Sequence, residues 1–423
     1  MMDRLQNDGA DGNRWWALLL LTAIYTFHAV DRSVVNIVIE PMKSEFALSD
    51  GAVGFLGGLA HAIGYAATVI PLGMLADRVN RVRLLGALVT IWSGLTVFGG
   101  FAPSFTALAL CRVGVGAAEG GGSPACLSLI ADYFPKRQRG MAFGIFYSST
   151  ALGVFLIFLF GGMIASAYGW RAVFFAAGGP GLVLALLVQM TLRQPRRGRF
   201  DEPSEMQPPP RLREVLLHIG RSPPLAFSIL GLTLAIVVVS GVWAWASSFF
   251  IRIHGLDIRE AGFTLAIALG VVQGVFLPIV GRLNDWLSAG RPDRIHALSV
   301  AGMLASIPIG AVMVLAPSVQ WSIVAAMLLG ASTASWLGQS FGAIVMLTPA
   351  NMRGSVFGLA QLGTNLIGTG FGPLLVGTIS DAYGGGASLR YSLLTMLMVY
   401  AAAATSLMAV NRMLRACPEP VGI

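Results

Sequence analysis

Two stretches of this 423-residue chain place full charges inside long apolar runs, at spacings that could carry chemistry. In "HAVDRSVVN", His28, Asp31 and Arg32 stand at i, i+3 and i+4, so a helix presents all three on one face. In "CRVGVGAAEGGG", Arg112 and Glu119 are two helical turns apart on one face, about 10 Å along the axis. An ionisable group at the centre of a bilayer costs at least about 2.5 kcal/mol. Two carboxylates and two guanidinium groups sum to zero, which predicts that they pair and face an internal cavity rather than lipid. Protonating Asp31 or Glu119 would leave a guanidinium in excess, while an arginine keeps its proton and can hold an anionic head group by bidentate contact. The expectation is proton coupling at Asp31 and Glu119 and substrate binding at Arg32 and Arg112. A neutral salt-bridge cluster that only fixes helix packing is the alternative. His28 and His61, each near the middle of its apolar run, are candidates for a proton relay or for plain hydrogen bonds across a helix pair.

These residues need membrane-spanning elements to position them, and the composition supplies them. The chain is 55% hydrophobic and only 11% charged, far from the quarter charged that is typical of soluble domains. Its mean hydropathy is +0.73. Twelve segments are long enough to cross a bilayer, each needing about 20 residues of helix. They run over 15–39, 51–76, 82–102, 104–130, 139–168, 171–192, 224–252, 260–286, 296–317, 319–347, 353–382 and 388–412. Apolar runs of this length carry no period-2 alternation, and lipid offers backbone groups no water, so helix is the assignment. With both termini on the cytoplasmic side, cytoplasmic segments hold 21 Lys and Arg. The external ones hold five: Lys43, Arg171, Arg252, Arg259 and Arg390. The high pI of 9.9 therefore reflects topology, and no nucleic-acid partner is expected.

The fold expected is an all-α membrane protein of two pseudo-symmetric six-helix bundles, 15–192 and 224–412, flanked by cytoplasmic tails 1–14 and 413–423. A Pro-rich charged linker, 193–223, joins them. Within it "RLREVLLHIG" puts Leu212, Val215, Leu216 and Ile219 on one face, as in a helix lying on the inner membrane surface. The halves echo each other. "PKRQRGMAFG" is matched by "PANMRGSVFG" at an offset of 214, and "GMLADR" by "GRLNDW" at 208, which indicates a parallel six-plus-six duplication.

On these residues the chain resembles the major facilitator superfamily across all twelve segments. "GMLADRVNRVR" looks like the signature loop between spans two and three, with Gly73, Asp77, Arg78, Arg81 and Arg83 at motif positions and Asn80 where Gly is frequent. Three long stretches are similar to the Spinster-like branch: 31–81, "RVGVGAAEGGGSPACLSLIADYFPKRQRG" and "GWRAVFFAAGGPGLVLAL". The organic-anion/proton symporters of the same superfamily also carry Asp-Arg in span one and Arg with Glu in span four. The resemblance implies the same proton and substrate roles for the four charged positions, and a conformational gate at the signature loop. By its physics, Asp77 at a helix end could sit by basic residues and a neighbouring helix N-terminus; topogenic charge alone is the bland reading.

The second half has no deep charge. Trp243, Phe250, Gln339 and Asn365 are candidates for an apolar cavity wall, although the span-seven aromatics Trp243, Trp245, Phe249 and Phe250 read more simply as an interfacial belt. An anionic ligand with an apolar body would suit such a cavity. Span five lacks the Gly-Pro pattern of drug/proton antiporters, which counts against multidrug export. The three Cys form no metal site or disulfide framework, and no ATP-binding loop or nucleophile–base pair is present, so neither a catalytic role nor a cofactor is expected. The reading is a monomeric secondary transporter of a bacterial inner membrane, working by alternating access on a proton gradient, for an anionic, lysolipid-like substrate. The alternatives are an organic-anion or sugar-acid/proton symporter and a non-transporting sensor, for which tails 1–14 and 413–423 hold no output domain.

Overall fold

The structure is a computed structural model that describes residues 2–200, 212–289, 291–349 and 351–416. Among these residues it is helical, with no strand. Eleven helices among the described residues are long and apolar enough to cross a membrane.

The remaining span, the fourth, is broken. It runs as Phe105–Glu119 and Gly122–Tyr133, with the turn at Gly120 and Gly121. Three consecutive glycines supply the reason, since each costs a helix interior about 1 kcal/mol relative to Ala. The break falls immediately after Glu119, so the sequence expectation of one continuous helix over 104–130 is corrected at a residue of interest. Spans two, eight and eleven stay continuous but loosen into π-helical turns at Phe55–Leu59, Ala266–Val272 and Thr364–Thr369. Such turns free backbone groups and are frequent at functional sites.

Local chemistry sets several boundaries. Span one, Met2–Ile37, ends two residues earlier than expected, and a short helix, Ile39–Phe46, follows. Ser49 caps the helix beginning at Asp50 by accepting from Ala52 N–H. Asn80 caps span three, Arg81–Gly100, by accepting from Arg83 N–H at 3.0 Å. Asn in place of the motif's usual Gly is therefore a helix cap. Asp257 and Glu260 form a reciprocal capping box at the start of span eight.

The chain forms two compact units, and they cut it differently from its two sequence halves. The first is Met1–Pro41 with Ala60–Met206; the second is Met42–Leu59 with Gln207–Ile423. The N-terminal end of span two thus belongs with the second-half helices. The backbones there touch closely: a Cβ at Gly54 would lie 2.4 Å from the Pro373 carbonyl oxygen, and one at Gly377 2.3 Å from that of Asp50. The first unit's core joins spans one, three, four, five and six through Leu21, Leu85, Trp92, Leu129, Phe146 and Val188.

In the linker the amphipathic helix is present as Leu212–Arg221, with Val215 buried and Leu212 and Leu216 exposed. Residues 201–211 of the expected linker and 417–423 of the expected tail, Cys417 included, lie outside the described residues.

Candidate functional site

The charged residues of spans one and four meet inside the first unit, where they separate into two clusters. Asp31 is 2% exposed and Arg112 1%. Arg112 Nη1 donates to Asp31 Oδ1 at 3.2 Å and to the Asp31 carbonyl oxygen at 3.2 Å. Thr96, from span three, donates its hydroxyl to this carboxylate, 2.6 Å from each oxygen. Beside His28, one turn before Asp31 on span one, the fully buried Glu119 of span four receives two histidines on a single oxygen. His61 Nε2 lies 2.7 Å and His28 Nε2 3.1 Å from Oε2.

Backbone contact makes the His61 approach possible. A Cβ at Gly116 would sit 2.0 Å from the His61 carbonyl oxygen, and one at Gly64 would sit 1.9 Å from that of Val113. Spans two and four therefore touch main chain to main chain, and only glycine fits there. Aromatic rings then fix both imidazoles. Tyr25 stacks on His28 with 4.8 Å between centroids and a 4° interplanar angle, and Trp92 meets the same ring edge-on. Tyr65 lies over His61 at 6.2 Å.

Three buried polar atoms in these clusters have no hydrogen-bond partner among the described residues: Arg112 Nε, Arg112 Nη2 and Glu119 Oε1. Each such atom carries a desolvation cost of about 1–3 kcal/mol. The Arg112 pair is the bidentate edge of the guanidinium, the edge that grips planar oxyanions. Arg32 differs from Arg112 in being only half-buried, and its charge reaches Tyr25, His61 and Tyr65.

The arrangement offers one carboxylate oxygen to two imidazoles and leaves the other open. With both imidazoles carrying hydrogen on Nε2, the ionised Glu119 accepts from two donors at once. A proton placed on Oε2 turns that oxygen into a donor, and the two histidine contacts can no longer both persist. A proton on Oε2 therefore changes the geometry as well as the charge, whereas one on the open Oε1 changes the charge alone.

The signature loop is divided by the structure. Arg81 is buried, with Nη1 2.6 Å from Asp132 Oδ2 and 2.6 Å from the Ser128 hydroxyl. Asp77, Arg78 and Arg83 are exposed, a Cβ at Gly73 would meet open space, and the Asp77 carboxylate makes no ion pair or hydrogen bond among the described residues. Asp132 and Ser128 were not singled out by sequence reasoning; an Asp beside a helix end carries no motif of its own.

In the second unit Trp243, Phe250, Gln339 and Asn365 are all buried. So are Trp245 and Phe249, which corrects the expectation of an interfacial belt: these rings pack inside protein, and Trp245 Nε1 donates to the Pro373 carbonyl at 2.9 Å. Trp243 Nε1 and Gln339 Oε1 have no partner among the described residues, and Asn365 donates to the Gln361 carbonyl.

A second charged cluster escaped sequence reasoning altogether. Asp50 takes both arms of Arg252, each at 2.8 Å, together with Lys43 and the Ser380 hydroxyl at 2.7 Å. Asp381 accepts the backbone N–H groups of Asp50 and Gly51. Lys43 and Arg252 read in sequence only as loop charge.

Comparison with known proteins agrees with the geometry. The fold matches a solved bacterial homologue of the human lysosomal transporter Spinster in an inward-facing, unoccupied conformation. The TM-score is 0.86 at 27% identity, covering 96% of this chain and 98% of that one. An MFS-type efflux pump of Mycolicibacterium smegmatis is 28% identical over 371 residues, 87% of this chain and 85% of the pump. The "Probable L-galactonate transporter" of Escherichia coli is 25% identical over 394 residues, 86% of this chain and 83% of that protein. These relatives are transporters, not enzymes. The Major Facilitator Superfamily model matches residues 21–373, which takes in the Asp31 and Glu119 clusters and most of both halves. A match of that extent is to a whole architecture rather than a motif, and the chain belongs to the Major Facilitator Superfamily of multi-pass membrane transporters.

Proposed function

We propose that this chain is a proton-coupled secondary transporter, working by alternating access, for an anionic substrate with an apolar body such as a lysolipid. The observation that carries the reading is Glu119, fully buried, with two imidazoles on one oxygen and the other oxygen unpartnered. Asp31 and Glu119 are the proton-coupling groups, with His28 and His61 as the relay. Arg32 is the guanidinium that an entering head group meets first, because it is the less buried of the two. Arg112 offers its open Nε–Nη2 edge once Asp31 is protonated and loosens its hold on Nη1. The proton gradient is the energy source, and no cofactor takes part.

The positive-inside distribution of 21 against five basic residues supports an inner-membrane protein with both termini cytoplasmic. We take the monomer as the working form.

The test is uptake into vesicles reconstituted with purified protein, with and without an imposed pH gradient. Glu119→Gln should keep substrate exchange and lose gradient-driven accumulation, because an amide mimics the protonated acid and cannot release a proton. Wild-type accumulation by this variant would reduce the cluster to a packing device. Likeness to the L-galactonate protein favours a second reading, sugar-acid symport. Running the same assay with a lysophospholipid and with a hexonate separates the two.

A further inference from the structure

The first residues after span six, 193–198, do not trail away as a linker. They cross the inner ends of spans two, three and four and are tied down at every step. Tyr133 donates its hydroxyl to the Arg193 carbonyl. Arg81 donates its backbone N–H to Gln194 Oε1 at 3.0 Å and Nη2 to the Pro195 carbonyl at 3.3 Å. Gly198 donates its N–H at 2.9 Å to Asp132 Oδ1, the oxygen that Arg81 leaves open. Gly198 does so at φ +62°, where a side chain would be strained. Arg197 Nη2 donates to the carbonyls of Ala76 at 2.7 Å and Val79 at 2.8 Å. Those carbonyls lie at the C-terminal end of span two, where backbone acceptors lack intrahelical donors and a cation is favoured.

We propose that residues 193–198 are a strap belonging to the signature loop, and that Arg197 is a positioning residue that aims Asp77. The two carbonyls it holds bracket Asp77, whose carboxylate makes no polar contact among the described residues. The direction of that carboxylate is therefore set by its backbone, and its backbone is held by Arg197. Topogenic charge alone would not distinguish Arg197 from its neighbour Arg196, which is exposed and makes no hydrogen bond among the described residues. The strap uses one of two adjacent arginines, and that choice is what a merely electrostatic role leaves unexplained. The Arg81–Asp132 pair gains from the same device, since Gln194, Pro195 and Gly198 close over it and leave Arg81 1% exposed.

Only the transport arm of the test rests on the proposed function. Backbone hydrogen exchange over residues 76–83 is measured on the full chain in nanodiscs for R197A, R197K, R196A and G198A. R197A and G198A should speed exchange about tenfold, R197K should restore much of the protection, and R196A should match wild type. Uptake of a fluorescent lysophosphatidylethanolamine into vesicles is then compared for R197A, D77N and the double variant. A residue that acts through Asp77 should add nothing in the D77N background. Equal exchange in R197A and R196A, or additive losses of uptake, overturns the proposal. If wild type carries no lipid, the functional reading fails for this substrate while exchange still decides the strap.

Discussion

Glu119 in the first unit and Asp50 in the second are both buried carboxylates held by nitrogen-bearing side chains, and they are satisfied in opposite ways. Asp50 has its acceptor sites filled: Lys43 and one arm of Arg252 on Oδ1, the other arm and Ser380 on Oδ2. Its strongest partner is a guanidinium, which never gives up its proton. Glu119 has two partners crowded on Oε2, none on Oε1 among the described residues, and both partners are imidazoles. Histidine is the side chain whose charge changes near neutral pH. A saturated network of permanent charges is built to hold one geometry. An unsaturated network of titratable ones has a second geometry within reach. Asp31 stands between the two, with a permanent cation on one side and a threonine hydroxyl on the other.

The largest effect that would test this contrast is at Asp50. Removing one partner of a buried ion pair costs about 3–5 kcal/mol. The lower end applies here, because the side chains of Lys43 and Arg252 keep 30% and 18% of their exposure. Asp50→Asn should lower the thermal midpoint by several degrees and raise hydrogen exchange across 50–59, the stretch docked on the second-half helices. It should do so equally at pH 6 and pH 8, since Arg252 does not titrate there. An effect that vanished at one of those pH values would abolish the distinction between the two clusters.

Gly116→Val comes next. A side chain there strikes the His61 carbonyl, and overpacking of this kind costs about 1–3 kcal/mol. It should separate spans two and four and break the 2.7 Å contact between His61 and Glu119 while leaving that of His28. Gradient-driven uptake should then fall more than thermal stability does. A stable variant with unimpaired uptake would show that the shared oxygen is incidental.

What the sequence made legible follows from how each feature announces itself. Helices of twenty apolar residues are visible because lipid forbids any other backbone solution. Asp31, Arg32, Arg112 and Glu119 were visible because charge is expensive there. Thr96 was not, since a hydroxyl in a helix is ordinarily satisfied by its own backbone and leaves no trace in the pattern. The Asp50 cluster was hidden for a different reason: charges at span ends always have a topogenic explanation, so Lys43 and Arg252 raised no question. The aromatics of span seven misled by the same logic, because Trp near a span end also has a ready interfacial explanation, and only burial contradicts it. The break in span four was written in "GGG", but glycine tolerance in membrane helices concealed it.

Thr96→Val is a smaller probe. It removes a hydroxyl that meets both oxygens of Asp31, for about 1–2 kcal/mol, and leaves Arg112 as the sole side-chain partner. If the hydroxyl is what keeps Asp31 ionised beside Arg112, the variant should transport with an altered pH optimum, and Thr96→Ser should restore it. Identical profiles for Val and Thr would reassign Thr96 to packing.

The finest test concerns the two histidines themselves. His61→Gln and His28→Gln each replace an imidazole by a neutral amide of similar reach, which can still donate to Oε2 but cannot take up a proton. The stability cost should be small, about 0.5–1 kcal/mol, and larger for His61, whose contact is the shorter. The informative readout is the dependence of uptake on pH, measured across the range in which imidazoles titrate. If the histidines and Glu119 share one proton as a unit, either substitution should flatten the acid limb, and the double variant should flatten it no further. If each imidazole merely fixes a helix, the pH profile stays that of wild type and the losses in stability add. Only the first outcome preserves the contrast with Asp50, because only it makes the unsaturated carboxylate a moving part.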